Sequence, residues 1–226
     1  MATSAAEAQP SAVRTKIGVL GGTFDPVHLG HLQLARQLRE HLQLDQVHLI
    51  PCGVPVHRPP PQASNAQRVA MLELAVQDFP WMKVDRREIE SSEPSWTHTT
   101  LGSLRAELPD AALYFSMGAD AFLGLSTWRR WQELPELAHL IVSTRPGYEL
   151  DVSVLDQPLR AFYERHLATR PEELEGRLAG KLYFATLQTP NLSSSEVRER
   201  IQRGESLADA LPPAVADYIA EQQLYV

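Results

Sequence analysis

The sequence predicts an α/β fold, an open parallel sheet covered by helices on both faces, and two observations carry that prediction. Short apolar runs closed by glycine or proline alternate with segments of helical periodicity along most of the chain. The chemically versatile stretches, residues 21–31, 52–58, 118–120 and 145–147, each fall just after one of those runs. That is where an open α/β sheet binds ligands, beyond the carboxyl ends of its strands and at the point where strand order reverses.

Taken in order, Ile17, Gly18, Val19 and Leu20 read as a short buried strand that Gly21, Gly22 and Asp25-Pro26 break. Residues 29–42 follow with Leu32, Leu34, Ala35, Leu38 and Leu42 near helical spacing. Residues 47–50 are a second strand closed by Pro51, with Cys52 a small core residue at its end. Prolines 51, 55, 59, 60 and 61 make the next stretch a loop, which holds His57-Arg58. Ser64 or Asn65 caps a helix running to residue 78, whose apolar side is Val69, Met71, Leu72, Leu74, Ala75 and Val76.

Residues 81–84 are a weaker strand, and residues 95–100 lead into a helix that runs through residue 108. The strand 112–117 stops at Gly118-Ala119-Asp120; a short helix and the segment 127–131 come next, then the strand 139–143, ended by Arg145-Pro146-Gly147. Residues 148–180 lose periodicity and gain charge, an irregular or helical excursion on the surface. A last strand at 181–187, a short helix at 193–202 stopped by Gly204 and a helix at 212–223 with proline near its first turn complete the chain. The sum is a Rossmann-like, doubly wound parallel sheet of about five or six strands with a C-terminal helical segment. Residues 16–226 read as one domain and residues 1–15, rich in alanine, as a disordered tail.

With 226 residues and 43% hydrophobic composition the chain can bury a full core. No apolar run is long enough to span a bilayer, and the first residues lack the basic and apolar regions of a signal peptide, so a cytoplasmic location is expected. A single cysteine excludes an intramolecular disulfide. The net charge of −7 argues against a general nucleic-acid surface, yet leaves room for a nucleotide site built from local cations and backbone donors. The phosphate loop of P-loop ATPases, the dinucleotide fingerprint after the first strand and the hydrolase nucleophile elbow are all absent from the sequence.

A strand, a glycine turn and a helix in succession aim backbone N–H groups and the positive end of a helix dipole at one spot, which suits a phosphate. Gly21 and Gly22 let the backbone approach a ligand, and Thr23 adds a hydroxyl. His28 and His31, three apart, share a helical face there, with Gly30 between them leaving the turn uncovered. Two imidazoles in that position can donate to phosphoryl oxygens; the same spacing also serves as a metal pair or as two surface histidines.

The eleven residues Gly21-Gly22-Thr23-Phe24-Asp25-Pro26-Val27-His28-Leu29-Gly30-His31 resemble the Gly-x-Phe-Asp-Pro-x-His-x-Gly-His signature of the nucleotidyltransferases related to class I aminoacyl-tRNA synthetases. Their wording is closest to the bacterial nicotinate-nucleotide adenylyltransferase family. Asn191-Leu192-Ser193-Ser194-Ser195-Glu196-Val197-Arg198 resembles the same family's Ile-Ser-Ser-Thr-x-Ile-Arg motif, with Leu192 for Ile, Ser195 for Thr and Val197 for Ile. Read without the resemblance, this second stretch is a helix N-cap with additional serines.

The resemblance, consistent in order from residue 16 to 226, implies transfer of AMP from ATP to nicotinate mononucleotide, with Mg²⁺ carried by the ATP phosphates. It implies catalytic roles for His28, His31 and Arg198, with His31 the direct stabiliser. Gly21, Gly22, Thr23, Phe24, Ser193, Ser194 and Ser195 would then join them in the ATP site, Gly118 and Asp120 at the ribose and Arg145 beside the adenine. Asp25, His57, Arg58, Thr97, Trp128 and Arg129 would form the mononucleotide site, Trp128 stacking on the pyridine ring and Thr97 near the carboxylate. Arg129 stands where the family commonly has an aromatic, and Trp128 reads equally well as a core residue. The expected partners are the two nucleotides, with no nucleic acid and no membrane, and the expected assembly is a monomer or weak homo-oligomer. Transfer onto phosphopantetheine or nicotinamide mononucleotide, and a nucleotide sensor without turnover, are the competing readings.

Overall fold

A computed structural model of the chain describes residues 14–56 and 59–226. The expectations for residues 1–13 and for His57 and Arg58 lie outside the described residues. At the start of the described chain, Arg14 donates to the Gly176 carbonyl (3.1 Å) and the Thr15 carbonyl accepts from Ala112 (2.9 Å).

The strands are β1 (Lys16–Gly22), β2 (Gln46–Pro51), β3 (Met82–Val84), β4 (Ala112–Gly118), β5 (His139–Thr144), β6 (Leu167–Ala168) and β7 (Leu182–Thr186). They form one sheet in the order β3-β2-β1-β4-β5-β7-β6, and every pairing is parallel. The chain walks outward from β1 to β3, returns to β4 on the other side of β1 and walks outward again. The reversal therefore lies between β1 and β4, and all seven carboxyl ends share one edge.

The helices are α1 (Leu29–Leu42), α2 (Asn65–Val76), α3 (Thr97–Glu107), α4 (Ala119–Leu123), α5 (Leu134–Leu137), α6 (Gln157–His166), α7 (Ser194–Gln202) and α8 (Pro213–Glu221). They cover both faces, and two apolar clusters sit on either side of the sheet. One gathers Leu20, Leu32, Leu38, Leu72, Val197, Val215 and Ile219 beneath α1, α2, α7 and α8. The other gathers Ile17, Val19, Leu101, Leu104, Phe122, Leu134 and Leu140 beneath α3, α4 and α5. Neighbouring residues of β1 serve opposite clusters because side chains alternate across a strand, and a strand buried on both faces is apolar throughout.

Three expectations change. Gly21 and Gly22 do not break the first strand: their backbones pair with Ile50 and Pro51, so β1 ends two residues later than its apolar run. The excursion at 148–180 is not merely surface. Asp156 caps α6 by accepting from the Leu159 amide at 2.8 Å, and Leu155, Leu159 and Phe162, spaced four and three apart, are buried in the core. The same stretch supplies β6, whose two residues pair with Leu182 and Tyr183 and bring the sheet to seven strands, above the number the sequence predicts. Two residues carry too little pattern for a strand to be read.

Ser64 caps α2, exchanging hydrogen bonds with Gln67, while Asn65 turns its side chain to Arg68. Arg68 lies on the apolar side of α2 and is fully buried. Its guanidinium donates to the Thr23 carbonyl (2.6 Å), the Cys52 carbonyl (2.7 Å) and the Asn65 side chain (2.7 Å). One cation thus ties the chain leaving β1 to the chain leaving β2. Burial lowers its pKa below the usual guanidinium value, a cost that the three acceptors offset.

Arg68→Met keeps the bulk and removes the donors, stranding two carbonyls. It is expected to lower the unfolding free energy by about 3 kcal/mol or more in urea titrations; a loss below about 1 kcal/mol would mean that those carbonyls find other partners.

Candidate active site

The site begins where β1 ends. Phe24 follows in the left-handed region (φ 50°) and is 1% exposed, its ring edge-on to His31 with centroids 4.9 Å apart. A Cβ on Gly22 would come within 3.1 Å of that ring, so the second glycine makes room for it. The Phe24 side chain, from a residue expected at the ATP, backs His31.

His28 is the N-cap of α1 in an extended conformation, and its ring stacks on His31 with centroids 3.7 Å apart at 27°. The His28 backbone N–H donates to His31 Nδ1 at 3.2 Å. In a neutral imidazole that acceptor role leaves the proton on Nε2, so His31 presents an N–H donor. Burial lowers the His28 pKa from 6.5 to about 4; burial and the neighbouring His28 hold His31 well below its usual value. Both rings are neutral near pH 7. His28 is 4% exposed and its Nδ1 has no hydrogen-bond partner, whereas His31 is half-buried and more accessible.

Gly30 does not leave the turn uncovered. A Cβ there would stand 2.9 Å from His28 Nδ1 and 3.6 Å from the Leu192 side chain, so the glycine is the space into which the imidazole fits. The helix entrance also offers fewer amides than the dipole picture suggests. Leu29 N–H donates to the Ala210 carbonyl (2.8 Å) and His31 N–H to the His28 carbonyl (2.9 Å).

The second entrance, at α7, closes against the first. Ser193 is the N-cap, accepting from Glu196 N–H at 3.1 Å, so the capping reading holds for it. Ser194 Oγ donates to the Pro26 carbonyl at 2.9 Å. Arg198 donates from Nη1 to the Asp25 carbonyl (2.6 Å) and from Nη2 to Ser195 Oγ (3.2 Å). The two motifs, far apart in sequence, are thereby fastened at the centre of the sheet.

Asp25, expected at the mononucleotide, is 4% exposed and surrounded by protein donors. Its carboxylate accepts from Gln62 N–H (2.7 Å), Ala63 N–H (3.0 Å) and the Tyr225 hydroxyl (2.7 Å). Among the described residues there is no group of three or more histidines, cysteines or carboxylates able to hold a metal ion.

On the other side of the reversal, Gly118 is the last residue of β4 and the N-cap of α4, and Asp120 is exposed on that helix's first turn. Arg145, exposed, is the first residue beyond β5. The two strand ends meet through Ser116 and Ser143, whose hydroxyls are 2.9 Å apart. Thr97 opens α3 and is half-buried; Trp96, just before it, has the Arg129 guanidinium 5.5 Å from its ring centroid. Trp128 sets its ring edge-on to Phe115 at 6.3 Å and remains half-buried. Thr97 and the 128–129 segment are thus brought together, with Trp96 between them.

Sequence reasoning missed Arg68, Tyr225 and Trp96. Arg68 had a signal, a cation at a core position of an amphipathic helix; Tyr225 had none, because its partner is 200 residues away.

The profile of the cytidylyltransferase-like family matches residues 19–200. A protein of Aeromonas hydrophila named "Probable nicotinate-nucleotide adenylyltransferase" is 44% identical over 213 residues, covering 94% of this chain and 98% of its own. One of the same name from Cellvibrio japonicus is 40% identical over 214 residues, covering 94% and 100%. Among solved structures, Plasmodium falciparum nicotinic acid mononucleotide adenylyltransferase complexed with NaAD superposes with a TM-score of 0.68 at 19% identity, covering 94% of this chain and 98% of that one.

The buried His28 makes the fold sensitive to acid. Between its usual 6.5 and about 4 the unfolded chain binds a proton that the folded protein refuses, so stability is complete above pH 6.5 and is lost as pH falls toward 4. The unfolding free energy of the native protein is expected to drop across that window by on the order of 3 kcal/mol more than that of His28→Gln. Equal pH slopes in urea titrations would show that His28 takes up its proton without unfolding.

Proposed function

The chain belongs to the cytidylyltransferase-like family and, within it, to the nicotinate-nucleotide adenylyltransferases, and from that membership we propose that it transfers AMP from ATP to nicotinate mononucleotide. The products are nicotinate adenine dinucleotide and pyrophosphate, a step of NAD biosynthesis. The observation that carries the reading is the closure of the two strand-to-helix entrances on each other: Arg198 and Ser194 bind the carbonyls of Asp25 and Pro26, gathering His31, Ser195 and Arg198 around the point where strand order reverses.

A mononucleotide phosphate oxygen bonds to the α-phosphorus of ATP, and the bond from that phosphorus to the pyrophosphate oxygen breaks. The nucleophile is already ionised, so no general base is needed, and the work is positioning and charge stabilisation. His31 Nε2–H, held by the His28 amide on the other ring nitrogen, donates to the phosphoryl oxygens where charge builds, and the Arg198 guanidinium serves the leaving phosphates. His31 needs no cationic form for that role. Thr23, Gly21 and Gly22 line the first entrance and Ser193 and Ser195 the second.

Gly118 and Asp120 take the ribose and Arg145 the adenine, while Thr97, Trp128 and Arg129 read the pyridine carboxylate. His57 and Arg58 meet the mononucleotide phosphate. Phe24 and Asp25 act from beneath, holding His31 and the turn. Mg²⁺ enters as part of the substrate, on the triphosphate oxygens, where it neutralises charge; the Asp25 carboxylate, enclosed by protein donors, is not assigned to it. In this reading residues 16–226 work as one cytoplasmic nucleotidyltransferase domain, as a monomer or weak homo-oligomer.

Pyrophosphate release with ATP and Mg²⁺ tests the proposal, with nicotinate mononucleotide, nicotinamide mononucleotide and phosphopantetheine compared side by side. The nicotinate form is expected to be strongly preferred, and preference for either other acceptor overturns the substrate assignment. His31→Ala is expected to lower kcat by about a hundredfold or more with a much smaller change in ATP affinity. A protein that binds ATP and turns over none of the three is a sensor.

A further inference from the structure

Tyr225, just beyond α8, packs in the same apolar cluster as Phe24 and Val27 and meets the turn between the first strand and the first helix. It is 7% exposed, and its hydroxyl donates to Asp25 Oδ1 at 2.7 Å, the same oxygen that accepts from Ala63 N–H at 3.0 Å. Oδ2 accepts from Gln62 N–H at 2.7 Å and lies 3.9 Å from Arg198 Nη1. The main-chain carbonyl of this same aspartate is the acceptor that orients Arg198. One residue is therefore held by its side chain while its backbone carbonyl, with Oδ2 close by, receives the site's cation.

The approach of Tyr225 is itself held in place. Gln223 and Tyr225 both lie in the left-handed region (φ 50° and 66°), uncommon for residues with a Cβ and maintained where surrounding contacts over-determine the chain. Leu224 N–H donates to the Ile219 carbonyl at 3.0 Å, and Ile219 and Val215 root α8 in the core. Burial, with the Asp25 carboxylate beside it, raises the phenol well above its ordinary pKa, so the hydroxyl keeps its proton.

We infer that Tyr225 is a positioning residue for the adenylyl-transfer site: its hydroxyl fixes the Asp25 carboxylate and, through it, the Gln62–Ala63 backbone and the Arg198 guanidinium. The inference rests on the activity proposed above for its kinetic consequence, and on the hydrogen-bond geometry alone for its structural one. It touches no substrate. Its effect is on where the turn 23–26 holds Arg198 when charge builds on the phosphates.

Tyr225→Phe in the full chain deletes one hydroxyl and keeps the ring. In hydrogen exchange of the ligand-free protein, the Gln62 and Ala63 amides of the variant are expected to exchange about tenfold faster, with little change in the core strands. In pyrophosphate release, kcat is expected to fall about tenfold while KM for ATP and for nicotinate mononucleotide stays within about twofold. Unchanged exchange at Gln62 and Ala63 overturns the inference whatever the kinetics show. A lower Tm with kcat per folded molecule unaltered makes Tyr225 a packing residue and overturns it too. If the native protein releases no pyrophosphate, the proposed activity fails, and the exchange rates still decide whether Tyr225 fixes Asp25.

Discussion

The carbonyls of the turn after β1 are the constraint around which the site is built. Once the parallel ladder ends at Gly22, the carbonyls of Thr23, Asp25 and Pro26 have left the sheet, and buried carbonyls need donors. Arg68, Arg198 and Ser194 supply them, from α2 for the first and α7 for the other two. Satisfying those backbone groups draws two guanidinium groups to the strand reversal of a protein whose net charge is −7. A local cation-rich centre thus arises from a backbone requirement, and an anionic ligand benefits from charge that the fold already needs.

The histidine pair shows the complementary device. Burial makes protonation costly, and stacking the rings 3.7 Å apart adds mutual repulsion to any doubly charged state. The rings therefore act as oriented dipoles, and orientation comes from packing: Phe24 against His31, and the empty Cβ position of Gly30 around His28. Such groups need little reorganisation when charge develops nearby, which is what electrostatic stabilisation requires.

Much of this was legible in the sequence because it is local. The apolar spacing of residues 29–42 gave α1 with its observed bounds, and the alternation of runs gave the doubly wound sheet. The two motifs announced both helix entrances. What was not legible depends on distance or on small numbers. That Phe24 would be a support follows from its left-handed backbone, which no residue type announces; that Asp25 would be enclosed follows from donors at 62, 63 and 225. Glycines 21 and 22 carry turn propensity, and it is the neighbouring strand pairing with them that keeps them in β1. Around α6, Arg160, Glu164 and Arg165 and the Gln157-Pro158 opening hid the narrow stripe of Leu155, Leu159 and Phe162.

The sheet also tapers. Its longest strands, β1 and β4, lie at the centre, while the edges are the three residues of β3 and the two of β6. Unpaired edge strands are templates on which further strands, from the same or another molecule, can dock. Here the template is a few backbone groups long at either end, and the exposed Lys83 of β3 adds a charge at one of them, so the fold offers little purchase for edge-to-edge aggregation.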